Sequence, residues 1–196
     1  MSQIKEYNDY FDNEQDYNNW LEIIFPIITD EEFQKRKLFK HHEKQSVYEH
    51  SMLVSIISYK LAKKYKLDKT NLVIAGLLHD FYTCAWQYSS DLEQLDEKYR
   101  EKFLPNVKRK PIFKKHGFIH PEIAAENAKE YYPTLVNEEI LSAIRTHMFP
   151  LSICTKYKIP KYKTAWVLTW ADKMATLKDF PKIKEMPKYL GIAKKK

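Results

Sequence analysis

Leu78-His79-Asp80 closes an apolar run that begins at Leu72, and it delivers an imidazole and a carboxylate side by side at the expected end of a helix. His50, His120, His147 and Asp172 lie far from it along the chain, each on or beside a segment that reads as a separate helix. Imidazole and carboxylate donors without thiolate, gathered from several helices, suit iron, manganese or another octahedral-leaning divalent metal better than a cysteine-built structural zinc site. The chemistry such a set would carry is metal-dependent hydrolysis. A charged pair at the end of a buried helix is costly without a counter-charge, and a metal supplies one directly.

Those residues depend on the elements that carry them. Only three glycines among 196 residues, with abundant Lys, Glu, Leu and Ala, favour helices over a turn-rich β architecture. Ser46 and Glu49 form an S-x-x-E capping box that opens a helix reaching Lys66, with Val47, His50, Val54, Ile57 and Leu61 on one face. His50 therefore faces the core one turn in, a position where a solitary histidine is ordinarily a hydrogen-bonded packing residue. Asp68 or Thr70 caps the next helix, whose Leu72, Val73, Ala75, Leu77 and Leu78 are apolar nearly all round, as a helix through the centre of a bundle would be.

Further along, His120-Pro121 reads as a helix start, with proline at the first position and Glu122 in the first turn, running to about Tyr131. Asn137 caps a helix that sets Ile140, Ala143, Ile144 and His147 on one stripe ahead of Pro150. A last helix from about Tyr162 to Leu177 puts Ala165, Leu168, Thr169 and Asp172 on one face, so an acid points where apolar residues point. Two N-terminal helices, one within Glu14 to Ile24 and ending before Pro26, the other from about Glu31 to Lys40, read as packing elements.

Between Phe81 and Lys115 the periodicity fades. Asp91 to Lys102 reads as an amphipathic helix inside that connection, and an excursion of this length suits a lid or a specificity loop. Lys108, Arg109, Lys110, Lys114 and Lys115 make a basic run into His116, either a solvated face or a contact for substrate phosphates.

Composition bounds the rest. Cys84 and Cys154 are too few and too far apart for a disulfide framework, and no C-x-x-C spacing occurs, which fits a reducing, cytoplasmic location. No basic region followed by an apolar stretch opens the chain, and no segment approaches the roughly 20 apolar residues of a membrane span, so a soluble protein without membrane contact is expected. Of the formal charge of +7, residues 181–196 supply +5 through six lysines against Glu185, leaving +2 for residues 1–180. A solvated basic tail accounts for that excess and argues against a nucleic-acid partner. The expected organisation is an N-terminal helical extension over 1–40 packed on the core, one catalytic domain over 41–180, and the tail over 181–196. No heptad seam points to an oligomeric state.

The ordered pattern His50, His79-Asp80, His120, His147, Asp172 resembles the HD-domain phosphohydrolase superfamily in its two-metal form. The neighbourhoods SVYEHS, AGLLHDF, HGFIHPEIAAENA, THMFPL and ADK are similar to those of small bacterial HD-domain proteins, over roughly residues 40 to 180. The resemblance implies an all-α, HD-domain helical bundle of five core helices with additional N-terminal helices. It implies two divalent metal ions, iron or manganese ahead of nickel, cobalt, magnesium or zinc. His50, His79, Asp80 and Asp172 would hold the first, His120 and His147 the second, with Asp80 bridging.

The activity it implies is metal-dependent hydrolysis of a phosphoester or phosphoanhydride bond in a small phosphorylated substrate, a nucleotide foremost, with a metal-bridging hydroxide as nucleophile. Beside Asp80, the residues expected to touch substrate are His116, as a donor or general acid, and Lys173 and Arg145 on phosphate oxygens. His41 and His42 reach the rim or remain solvated, and Trp86, Tyr88 and Phe149 stack on a base or pack in the core. No acid follows Asp80 before Asp91, where some members carry an extra carboxylate, so no particular nucleotidase is implied. The same six ligands also serve di-iron HD-domain oxygenases. A non-catalytic nucleotide-binding HD module would not need all six.

Overall fold

Nearly every helix whose start is described begins where a side chain satisfies backbone N–H groups that would otherwise have no partner. The structure, a computed structural model, describes residues 6–42, 45–83, 116–156 and 159–178. Helix α1 (Glu14–Ile28) opens on Asn13, whose Oδ1 accepts from the Asp16 N–H at 2.8 Å, and the one-turn α2 (Glu31–Gln34) opens on Asp30. The capping box of α3 (Val47–Tyr65) is complete: the Glu49 N–H donates to Ser46 Oγ at 3.2 Å, and the Ser46 N–H donates to Glu49 Oε2 at 2.9 Å. Asp68, not Thr70, caps α4 (Lys69–Leu78). Then come α5 (His116–Tyr131), α6 (Glu138–Thr146) on its Asn137 cap, and α7 (Lys163–Lys178).

The fold is all-α, with α3 to α7 as its core and α1 and α2 added at the N-terminal side. Helix α4 packs along α3, α7 packs against both and against α6, and α5 lies on α6. One apolar cluster runs through these helices and takes in α1, whose Trp20 is fully buried and donates from Nε1 to Ser55 Oγ at 3.1 Å. Gly76 sets the spacing between α3 and α4. A Cβ there would lie 2.6 Å from Ser58 Oγ and 3.2 Å from Ser55 Cα, so glycine permits the close approach that carries His79 in beside His50.

Several elements differ from the expectations above. Helix α1 continues through Pro26 to Ile28 because buried Ile27 and Ile28 stay on its inner face. Thr29 secures that last turn, its N–H and hydroxyl both bonding Phe25 O. The second N-terminal helix does not reach Lys40; after one turn it tightens into a 3₁₀ turn, Lys35–Leu38. The tighter winding brings Arg36 inside, where it donates to Glu32 Oε1 at 2.7 Å and lies over the rings of Phe39 and Phe81 at 4.9 and 4.7 Å. A short antiparallel pair not foreseen in the sequence follows, β1 (Lys40–His42) with β2 (Gln45–Ser46). Helix α5 already includes His116, so Pro121 lies inside it and His120 sits a turn in.

The expected helix over Asp91–Lys102, the basic run over 108–115, Trp86, Tyr88 and the tail over 181–196 lie outside the described residues. No described helix is long and apolar enough to cross a membrane.

Candidate metal centre

The ends of four helices meet at one place. His50 comes from the first turn of α3, His79 is the C-cap of α4 with Asp80 next to it, His120 lies near the start of α5, and His147 is the C-cap of α6. Asp172 reaches the same place from the middle of α7. The carboxyl ends of α4 and α6 also direct their partial negative charge there, which favours a cation.

Donor geometry is set by the backbone. Nδ1–H of His79 donates to Gly76 O at 2.8 Å, that of His120 to His116 O at 2.8 Å, and that of His147 to Ile144 O at 2.7 Å. Each bond fixes a tautomer and leaves an Nε2 lone pair directed inward. His50 Nε2 lies 3.1 Å from Asp172 Oδ1, and His79 Nε2 lies 3.6 Å from the same oxygen. Asp80 divides its oxygens between two sides: Oδ2 is 3.5 Å from His79 Nε2, whereas Oδ1 is 3.3 Å from His120 Nε2 and 3.9 Å from His147 Nε2.

With those Nδ1–H groups committed elsewhere, the centre holds many acceptors and few protons. Among the described residues, His79 Nε2 is buried without a hydrogen-bond partner. In the protein alone a proton is taken up there: burial pushes the His79 imidazole down, but Asp80 and Asp172 outweigh it and hold it up at about 9. Burial likewise raises both carboxyls, yet His79 and His41 hold Asp80, and His50 and His79 hold Asp172, well below the usual carboxylate range. Burial, aided by neighbouring imidazoles, keeps His50 neutral down to about 4 and His147 down to about 3. Two anionic carboxylates with the neutral imidazoles of His50 and His147 make a donor set that a divalent cation satisfies by displacing the proton from His79. One donor atom from each of His50, His79 and Asp172 lies within 4.8 Å of the others, and the same holds for His79, Asp80 and His147.

The HD domain family model matches residues 47–177. The chain belongs to the HD domain family. No curated protein and no solved structure gives a match. HD domains bind divalent metals, and the His/Asp groups of this one could hold them.

Other residues singled out in the sequence fall into different places in this HD domain. His116 stacks on His120, with centroids 4.6 Å apart and rings 17° from parallel, and presents its edge to Tyr82. Its backbone carbonyl orients His120. Arg145 faces the carboxylates of Glu126 at 2.9 Å and of Glu122 and Glu138 at 3.8 Å, bridging α5 and α6. Lys173 is exposed and donates to Phe149 O at 2.6 Å, bracing the segment that follows His147. The Phe149 ring meets Trp166 edge-on at 4.9 Å.

His41 is the residue whose place the sequence understated. Read as a rim or solvated side chain, it lies 13% exposed with Nε2 3.3 Å from Asp80 Oδ2. The sequence offers only proximity, since His41 lies five residues before the Ser46 cap; the register that aims it inward is not written there.

Proposed function

We propose that the chain is a phosphohydrolase cleaving a phosphoester or phosphoanhydride bond of a small phosphorylated substrate, a nucleotide foremost. What carries the reading is the division of Asp80, with one oxygen toward His79 and the other toward His120 and His147. In this reading His50, His79, Asp80 and Asp172 hold one divalent ion, and His120 and His147 hold a second with Asp80 shared. Iron or manganese is the first choice for a donor set of nitrogens and carboxylates without thiolate.

When bound, such ions supply Lewis acidity and lower the pKa of water toward neutrality. The chain's own residues do the rest. The carbonyls of Gly76, His116 and Ile144 hold the His79, His120 and His147 rings in one orientation, so these donors face inward without turning and His79 gives up its Nε2 proton on loading. With only Asp80 and Asp172 to offset them, two dipositive ions held here would leave the centre cationic and so favour an anionic ligand such as a phosphate. Lys173, an exposed ammonium beside Asp172, is the side chain we assign to a substrate phosphate oxygen. Arg145 we assign to holding α5 against α6. An exposed free Cys154 is consistent with action in a reducing cytosol.

The test is anaerobic turnover by manganese- or iron-loaded protein across mononucleotides, dinucleoside polyphosphates and guanosine polyphosphates. Release of phosphate or a shorter nucleotide is expected. No hydrolysis, with oxygen consumed by the iron form, would replace this reading with oxygenase chemistry.

A further inference from the structure

We propose that His41 is an additional protein ligand of this metal centre, on the side where His50 meets Asp80, delivered there by a bulge in the short hairpin. The inference rests on the metal-dependent reading above and extends its ligand set to a residue upstream of the matched family region.

The hairpin explains the delivery. β1 and β2 pair Lys40 with Ser46 and His42 with Gln45, so two steps along β1 correspond to one along β2. His41 is the extra residue, and a bulge re-aims its side chain out of the regular alternation. The hairpin is also fixed to α3: Ser46 is that helix's N-cap, and the Val47 N–H donates to Phe39 O at 2.7 Å. A loop histidine is thereby tied to the first turn of the helix that carries His50.

Three contacts define where it arrives. The His41 ring lies on His50 with centroids 3.8 Å apart and planes 15° from parallel. Its Nε2 stands 3.3 Å from Asp80 Oδ2. One donor atom each from His41, His50 and Asp80 lies within 4.8 Å of the others, the spacing of donors around one cation. Asp80 Oδ2 thus has His79 on one side and His41 on the other, while Oδ1 faces the His120–His147 pair. A further imidazole makes this side richer in nitrogen, which selects iron, cobalt, nickel or zinc over magnesium.

The test uses cobalt(II) as probe on the full chain, following visible d–d absorption and metal content after dialysis. His41→Phe keeps a ring to stack on His50 and removes the nitrogen donor. The expected result is one cobalt weakened by more than ~100-fold, beyond what loss of an outer hydrogen-bond partner gives, with its d–d bands shifted and the other ion unaffected. In His41→Ala, added imidazole should restore the wild-type spectrum. An affinity loss with an unchanged spectrum would mean that His41 only hydrogen-bonds Asp80, and would overturn ligation. Wild-type uptake of cobalt with His41→Phe and His41→Ala indistinguishable from it sinks this assignment alone. A wild-type chain that takes up no cobalt, iron or manganese sinks the metal reading beneath it as well.

Discussion

His120 and His147 bring their Nε2 atoms to 3.0 Å of each other while both Nδ1–H groups are bonded to backbone carbonyls. Two inward lone pairs at that separation repel unless a cation or a proton lies between them. Burial lowers the basicity of both imidazoles, which disfavours the proton. His147→Ala should therefore lower the metal content by one ion per chain in elemental analysis. Turnover should fall at least ~100-fold, beyond the range seen when only an outer hydrogen-bond partner of a ligand is lost. Unchanged metal content would show that the pair holds no ion.

Asp80 serves both sides, so its loss should do what no single histidine substitution does. Asp80→Ala is expected to release both ions and abolish turnover. A ligand held at a hundredfold excess over its Kd stabilises the folded chain by roughly 2.7 kcal/mol. Chelation should thus lower the Tm of wild type and leave that of Asp80→Ala unmoved. Turnover at the wild-type rate in the variant would refute the assignment.

Gly76 links packing to the site, because its Cα lies against α3 and its carbonyl holds His79. Gly76→Ala gains up to ~1 kcal/mol in helix propensity but forces a methyl into space already filled, which costs about 1–3 kcal/mol. A net loss of about 1 kcal/mol in denaturant unfolding is expected. Ser58→Ala in the same chain should recover part of it by removing the hydroxyl at 2.6 Å. A double variant no more stable than Gly76→Ala would place the conflict at the Ser55 backbone instead.

The buried Arg36–Glu32 pair couples α2 to the residue after Asp80, since the guanidinium lies over the Phe81 ring. Burial lowers the basicity of Arg36 while Glu32 supports its charge. Glu32→Ala leaves that charge inside without a counter-ion and should destabilise the chain by about 3–5 kcal/mol. Replacing both partners, as Glu32→Ala with Arg36→Met, should restore most of the loss, because an apolar pair needs no compensation. Equal unfolding midpoints for the single and double variants would contradict this.

How much of this was legible in the sequence follows from where the information resides. The capping residues Ser46, Asp68 and Asn137 and the apolar periodicities are local signals, and the helices carrying His50, His79 and His147 appear where those signals put them. The order of histidines and acids carried the family, and the family model spans the same stretch. What was not legible depends on tertiary contacts. Pro26 reads as a helix stop, yet burial of Ile27 and Ile28 overrides it. The helix expected from about Glu31 to Lys40 breaks because two aromatic rings and Glu32 draw Arg36 inside. His41 depends on a bulge, which no local pattern announces.

Asp16 gives a prediction in pH far from the metal centre. Its carboxylate ties α1 to α3, accepting from Lys63 Nζ at 2.6 Å, Tyr59 Oη at 3.1 Å and Asn13 Nδ2 at 3.0 Å. Burial alone pushes this carboxyl up, but those hydrogen bonds and the Lys63 charge outweigh it and hold it below its ordinary 3.8. A carboxyl depressed on folding contributes its stability in full above the unfolded value, and the contribution disappears as pH falls through the folded value. Because the Lys63 side chain is half exposed, water screens that partner, and Asp16→Asn should cost only about 1 kcal/mol at pH 7. In metal-free protein the gap between wild type and Asp16→Asn should hold from pH 7 to about 5 and close toward pH 3. A gap that widens on acidification would mean that Asp16 is protonated more readily in the fold than out of it, reversing the balance of burial and hydrogen bonding argued for this side chain.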